Sequence, residues 1–178
     1  GVSPWQYALT QPEVILHYVR LSLWPHPLVL DYAWPPVKNF GAAIPSLIVL
    51  FLLANIMLGS FIRGIWYRPL GFLGMIFFII LLPSSSFIPL KDVVFEHRMY
   101  LSLACVVLTG VLAARSLLRK KFVPSEWRPA ISILIVCAVV GVLAFLTVRR
   151  NQDYHSELTM WKDVMDKQPL NARAHNNY

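Results

Sequence analysis

The chain has 178 residues, of which 57% are hydrophobic and 14% charged, with a formal net charge of +7 and a mean hydropathy of +0.57. Soluble domains carry roughly 45–50% apolar and about 25% charged residues, so this composition excludes an ordinary soluble domain and indicates a membrane protein. The basic excess does not point to nucleic acid, because Lys and Arg are not interleaved with stacking aromatics along one face; they cluster in short links between apolar runs.

Residues 1–41 are amphipathic and aromatic. Thr10 is placed to cap a helix that tolerates Pro12 in its first turn and runs from Val14 to Trp24, where Pro25 and Pro27 stop it. That stretch is too short for a crossing, which needs about 20 residues. An interfacial helix is expected, with a short re-entrant segment as the alternative, and Trp5, Tyr7, Tyr18, Trp24, Tyr32 and Trp34 at headgroup level. His17 and His26 read as interfacial polar residues, and Asp31 as a cap or turn residue.

Four spans follow, at about 42–62, 70–82, 99–118 and 129–148. The first is charge-free and carries one strongly polar side chain, Asn55, expected to hydrogen-bond a neighbouring helix. The second is short, and Pro83, three serines and Pro89 interrupt it. Non-helical backbone at that depth is tolerated only against protein or a wet cavity. The Gly110/Ala114 and Cys137/Gly141 spacings suit close helix packing. Cys105 and Cys137 both lie in apolar runs and read as reduced packing residues.

The links after spans one and three hold Arg63, Arg68, Arg115, Arg119, Lys120, Lys121 and Arg128 against the single acid Glu126. The positive-inside rule puts them in the cytoplasm. Residues 1–41, the 83–98 loop and the C-terminal tail then face the non-cytoplasmic side, with Arg149 and Arg150 arguing mildly the other way. That loop carries Lys91, Asp92, Glu96, His97 and Arg98 beside two apolar runs, and ionisable groups there tend to line a polar cavity.

From residue 149 the chain becomes a soluble amphipathic segment. Trp161, Val164 and Pro169 match the second-helix spacing of a tetratricopeptide repeat, a unit of about 34 residues, with Val where Ala is usual. Asn171 onward would open the next repeat, with Tyr178 at its first apolar position. A single repeat cannot bury its apolar face, so more repeats, and hence a longer protein, are expected.

Leu9-Thr10-Gln11-Pro12, the Trp24-Pro25-His26-Pro27 turn, Ser84-Ser85-Ser86-Phe87-Ile88-Pro89 and Glu96-His97-Arg98-Met99-Tyr100-Leu101 occur in one chain. With the Arg149–Trp161 exit and Asn171-Ala172-Arg173-Ala174-His175-Asn176-Asn177, they resemble the transmembrane and tetratricopeptide-repeat protein family. That family is similar to protein O-mannosyltransferases and belongs to the C-type glycosyltransferase superfamily. The resemblance implies an all-α polytopic membrane bundle leading into a repeat solenoid. It also implies a polyprenyl-phosphate sugar donor, transfer on the non-cytoplasmic side of a bacterial inner membrane or endoplasmic reticulum, and a protein acceptor or partner at the repeats. The acidic catalytic residue would lie upstream of Gly1, so no catalytic residue is assigned within the chain.

Donor binding then falls to the charged loop. Arg98 suits a phosphate, because a guanidinium stays charged and forks onto two oxygens. Glu96 would orient Arg98 or bind a sugar hydroxyl, His97 would donate to the phosphate, and Lys91 would be a second cation. The alternative is that Glu96 and Arg98 simply ion-pair with neighbours and hold the loop against the bundle. No CxxC, HExxH or phosphate-cradling glycine loop occurs, so no cofactor or metal is assigned, a divalent ion held by upstream residues being left open. Two other readings compete: a non-catalytic membrane anchor for a repeat array, and a lipid-saccharide transporter. The transporter would show paired broken helices in two related halves, which the sequence lacks.

Overall fold

The computed structural model describes residues 3–64, 67–83, 85, 93–118, 124 and 126–178. Among these the chain is all-α with no strand: α1 (Pro4–Leu23), α2 (Phe40–Ile62), α3 (Arg68–Leu81), a 3₁₀ turn (Glu96–Met99), α4 (Tyr100–Leu118), α5 (Arg128–Asp153), α6 (Glu157–Lys167) and α7 (Ala172–Asn177). Two compact units divide the chain, Gly1–Thr109 and Gly110–Tyr178.

In the first unit, α1 starts well before the expected Thr10 cap. Ser3 and Gln6 form a capping box, the Ser3 hydroxyl accepting from the Gln6 amide at 3.2 Å and Gln6 reaching back to the Ser3 amide at 3.3 Å. Pro4 occupies the first turn, where its missing N–H costs nothing. Thr10 is therefore mid-helix. Its hydroxyl donates to the Gln6 carbonyl (2.7 Å) and accepts from the Val37 amide (2.9 Å), tying residues 24–37 back onto α1. Leu9, Val37 and Ala43 close a small core beneath that tie.

Asn39 caps α2 by accepting from the Ala42 amide at 3.0 Å. α2 packs on α1 and, more extensively, on α3. The approach to α3 is set by glycine. A Cβ on Gly71 would lie 2.5 Å from the Met57 carbonyl oxygen and 2.5 Å from the Phe61 amide nitrogen. The glycines singled out in the sequence behave otherwise: a Cβ on Gly110 or Gly141 would meet nothing within 4 Å. Asn55 also departs from expectation, donating to the Phe51 carbonyl of its own helix at 2.7 Å instead of crossing to a neighbour.

Among the described residues, three stretches are long and apolar enough to cross a bilayer: Phe40–Ile62, Glu96–Ser116 and Arg128–Asp153. At about 1.5 Å per residue they reach roughly 34, 31 and 39 Å, against a core about 30 Å thick. α3, with 14 residues, reaches only about 21 Å. The exposed surface fits lipid: Ile48, Phe51, Leu52 and Ile56 of α2 are all more than half exposed, and α5 has no buried residue. Such a surface is costly in water and is not in hydrocarbon. Both cysteines are free; Cys105 is buried as expected of a packing residue, whereas Cys137 is exposed.

In the second unit, α5 continues five residues past the expected end at Val148. Arg150 explains the extension. Its Nη1 pairs with Asp153 (3.0 Å) and with Asp163 of α6 (2.7 Å), and Lys167 also meets Asp163 at 2.6 Å. The α6 start is a second capping box, Ser156 with Thr159, both bonds at 3.1 Å. α6 and α7 then pack with Val164 and Ala174 fully buried. Ser156→Ala should cost this helix pair about 1 kcal/mol. It would be read as faster amide exchange in α6 while α5 is unchanged.

Candidate functional site

The charged turn between α3 and α4 is built from three pieces of chain. The end of α1 supplies His17, Tyr18 and Ser22. Pro25 and Pro27 break that helix, whose last cap is the Trp24 amide donating to the Arg20 carbonyl at 2.8 Å. Residues 24–37 run on as irregular backbone, and Val93–Met99 leads into α4.

Tyr18 is wholly buried, and its hydroxyl serves one distant residue twice: it accepts from the Phe95 amide at 2.9 Å and donates to the Phe95 carbonyl at 3.1 Å. Burial raises its pKa above the ordinary 10.0, opposed by the Phe95 hydrogen bond and by the Arg98 charge. A turn later, the Ser22 hydroxyl donates to the Tyr18 carbonyl (2.8 Å) and sits 4.0 Å from the Met99 sulfur.

Glu96 is a second attachment. Its Oε1 accepts from the Val29 amide at 2.7 Å and from the Tyr32 hydroxyl at 2.8 Å. Val29 and Tyr32 are buried, so this carboxylate bolts residues 27–32 to the turn. Asp31 does take a turn role, its Oδ1 accepting from the Ala33 amide at 2.9 Å, with Ala33 at φ +43°. A short polar side chain stabilises such left-handed backbone locally.

Arg98 is half-buried. Its Nη1 donates to the Val93 carbonyl at 3.1 Å, and the guanidinium lies 5.4 Å from the Phe95 ring centroid, a cation–π distance. His97 is exposed, with its ring 4.8 Å from the opposite partner of that stack, Phe95. Glu96, His97 and Arg98 thus share one turn around Phe95, whereas Lys91 lies outside the described residues. Among the described residues no three His, Cys, Asp or Glu side chains converge on a metal position. Tyr18, Tyr32 and Val29 hold the turn, yet nothing local in the sequence marks them. The one available signal was aromatic enrichment, which a membrane interface explains equally well.

His17 sits on the adjoining face of α1, 4.9 Å from both the Tyr32 and the Trp34 ring centroids. Burial, reinforced by the Arg20 charge, lowers its pKa to about 4. Because its pKa is depressed in the fold, the unfolded chain binds the extra proton between about pH 6.5 and 4. The stabilisation is complete above that window and disappears as the pH falls through it. The protection of the amides in residues 28–37, taken relative to intrinsic exchange at each pH, should therefore fall as pH drops from 6.5 to 4, and His17→Phe should remove that component.

An apolar groove of about 160 Å³ runs beside the site, between Ser22 and Leu23 of α1, Met57 of α2, Leu73 and Phe77 of α3, and Cys105 of α4. The Thr109 hydroxyl on its wall is spent on the Cys105 carbonyl at 2.8 Å. The groove accordingly offers apolar surface and little else.

Among the described residues, fold and surface together define an all-α chain with three candidate membrane-spanning helices and a charged, tyrosine-anchored turn at the head of one of them. No family model matches the chain, and neither does any curated protein or solved structure.

Proposed function

We propose that the chain is the later part of the membrane domain of a glycosyltransferase that uses a polyprenyl-phosphate sugar, resembling protein O-mannosyltransferases. In this reading α3 belongs to a fourth crossing. The basic links are cytoplasmic, and the turn around Arg98 faces the other compartment together with α6 and α7. Those two helices begin a tetratricopeptide-repeat array that receives the acceptor or a partner protein.

The observation that carries the reading is Arg98. A guanidinium held at the head of an apolar helix, half-buried over a ring, keeps its charge there and presents a fork suited to an anion at the membrane surface. A lipid phosphate supplies that anion, and its developing charge during sugar transfer is what a fixed cation stabilises. The packed pair α6–α7, with Val164 and Ala174 at its contact, supports a repeat start.

The test is transfer itself. Membranes holding the full-length protein, given radiolabelled polyprenyl-phosphate mannose and acceptor protein, should move label into protein on the non-cytoplasmic side. Label that stays in lipid with every polyprenyl-phosphate hexose tried would defeat the reading. One observation favours a second reading, the non-catalytic anchor. Glu96 spends an oxygen on Val29 and Tyr32, which is a bracing task. An anchor would bind neither lipid phosphate nor sugar.

A further inference from the structure

We propose that Tyr18 is the positioning residue for Arg98, its one hydroxyl fixing the Phe95 peptide and through it the place of the guanidinium. The inference rests on the reading in which Arg98 meets a lipid phosphate, and it assigns a function to a residue that never contacts that ligand.

Phe95 is the last extended residue before the 3₁₀ turn, with φ −138° and ψ 126°. Its amide lies outside any helical ladder and its carbonyl opens the 3₁₀ turn, and Tyr18, 77 residues earlier, bonds to both. The same carbonyl also accepts the backbone amide of Arg98 at 3.2 Å. Side chain and main chain thus converge: the Phe95 ring underlies the guanidinium, and the Val93 carbonyl two residues back receives Nη1. The Val93 and Phe95 contacts of Arg98 belong to the short segment whose position Tyr18 sets, and the Tyr18 hydroxyl itself lies within reach of the guanidinium. Packing alone does not require the hydroxyl. A phenylalanine would fill the same buried space, so the hydroxyl contributes the two bonds to Phe95 and its proximity to Arg98.

Tyr18→Phe isolates that contribution. In the full-length protein in membranes, Arg98 in this variant should react with phenylglyoxal about tenfold faster than in the wild type, the factor expected for loss of one net hydrogen bond's worth of order. Mass spectrometry of the Arg98 peptide reads the rate. Transfer from polyprenyl-phosphate mannose should fall by a similar factor in kcat, with KM little changed, because phosphate charge grows as the sugar leaves. The decisive comparison is the double variant. With Arg98→Ala already present, Tyr18→Phe should lower transfer no further, as expected of residues acting as a unit. Additive losses, or an Arg98 reactivity unchanged by Tyr18→Phe, overturn the proposal. A wild type that transfers no sugar defeats the glycosyltransferase reading instead, and the phenylglyoxal comparison still decides the positioning role. Should Tyr18→Phe fail to insert, amide exchange in the wild type decides it: a Phe95 amide exchanging as fast as an exposed loop contradicts the clamp, and a protected one supports it.

Discussion

Arg98→Ala should lower sugar transfer from a polyprenyl-phosphate donor by about 10²–10³-fold, the usual loss when one fixed donor to a developing oxyanion is removed, while insertion and folding are unchanged. The second half of that expectation follows from the geometry. The contacts of Arg98 include the Val93 carbonyl, the Phe95 ring and the neighbouring Tyr18 hydroxyl, whereas the backbone of the turn is held by Tyr18 and Glu96. Arg98→Lys should recover only part of the rate, because an ammonium cannot fork onto two phosphate oxygens or lie flat on Phe95. Glu96→Gln is the informative contrast. An amide oxygen still accepts from Val29 and Tyr32, so transfer should fall only a few-fold if bracing is all Glu96 does. A loss as large as that of Arg98→Ala would assign Glu96 to the sugar. Full activity in correctly inserted Arg98→Ala protein would remove Arg98 from the site.

What the sequence made legible was whatever depends on neighbours along the chain. Helix α2, expected at 42–62, spans Phe40–Ile62, and α3, expected at 70–82, spans Arg68–Leu81. Long apolar runs bounded by Asn39 or by Pro83 leave little choice. The α1 start was missed because Thr10 is a good cap residue, but Ser3 three residues before Gln6, with Pro4 between, is a better one. Arg150 was weighed as a topology charge, and its pairing with Asp163 across the α5–α6 bend could not be read from spacing alone. The site shows the same division. Arg98 and Glu96 were visible as charges beside apolar runs, whereas their brace is non-local. The Val29–Glu96 and Tyr18–Phe95 bonds join residues 67 and 77 positions apart, and no periodicity encodes such pairs.

Gly71→Ala should be among the most destabilising single-methyl changes in the chain, with a cost of about 1–3 kcal/mol or more. The new Cβ would stand 2.5 Å from two backbone atoms of α2, the Met57 oxygen and the Phe61 nitrogen, and 2.9 Å from the Phe61 Cα. Backbone cannot rotate away, so α2 and α3 must separate. Gly74→Ala meets a softer obstacle, because its Cβ would press at 2.6 Å on the Met57 sulfur, which an unbranched thioether can swing aside. Gly110→Ala meets nothing within 4 Å and replaces a poor helix former with a good one. The three variants should therefore rank 71, then 74, then 110 in loss of thermal stability, with Gly110→Ala neutral or slightly stabilising. Scanning detergent-solubilised protein measures the order. The consequence reaches the site, since α3 shares the groove with Ser22 and Cys105 and both neighbours of Arg98's turn pack along it. Gly71→Ala should thus also raise exchange at Met99 and Ser102, whereas Gly110→Ala should not. Equal stability of the Gly71 and Gly110 variants would mean that α2 and α3 do not meet backbone to backbone, and the short α3 would need another partner.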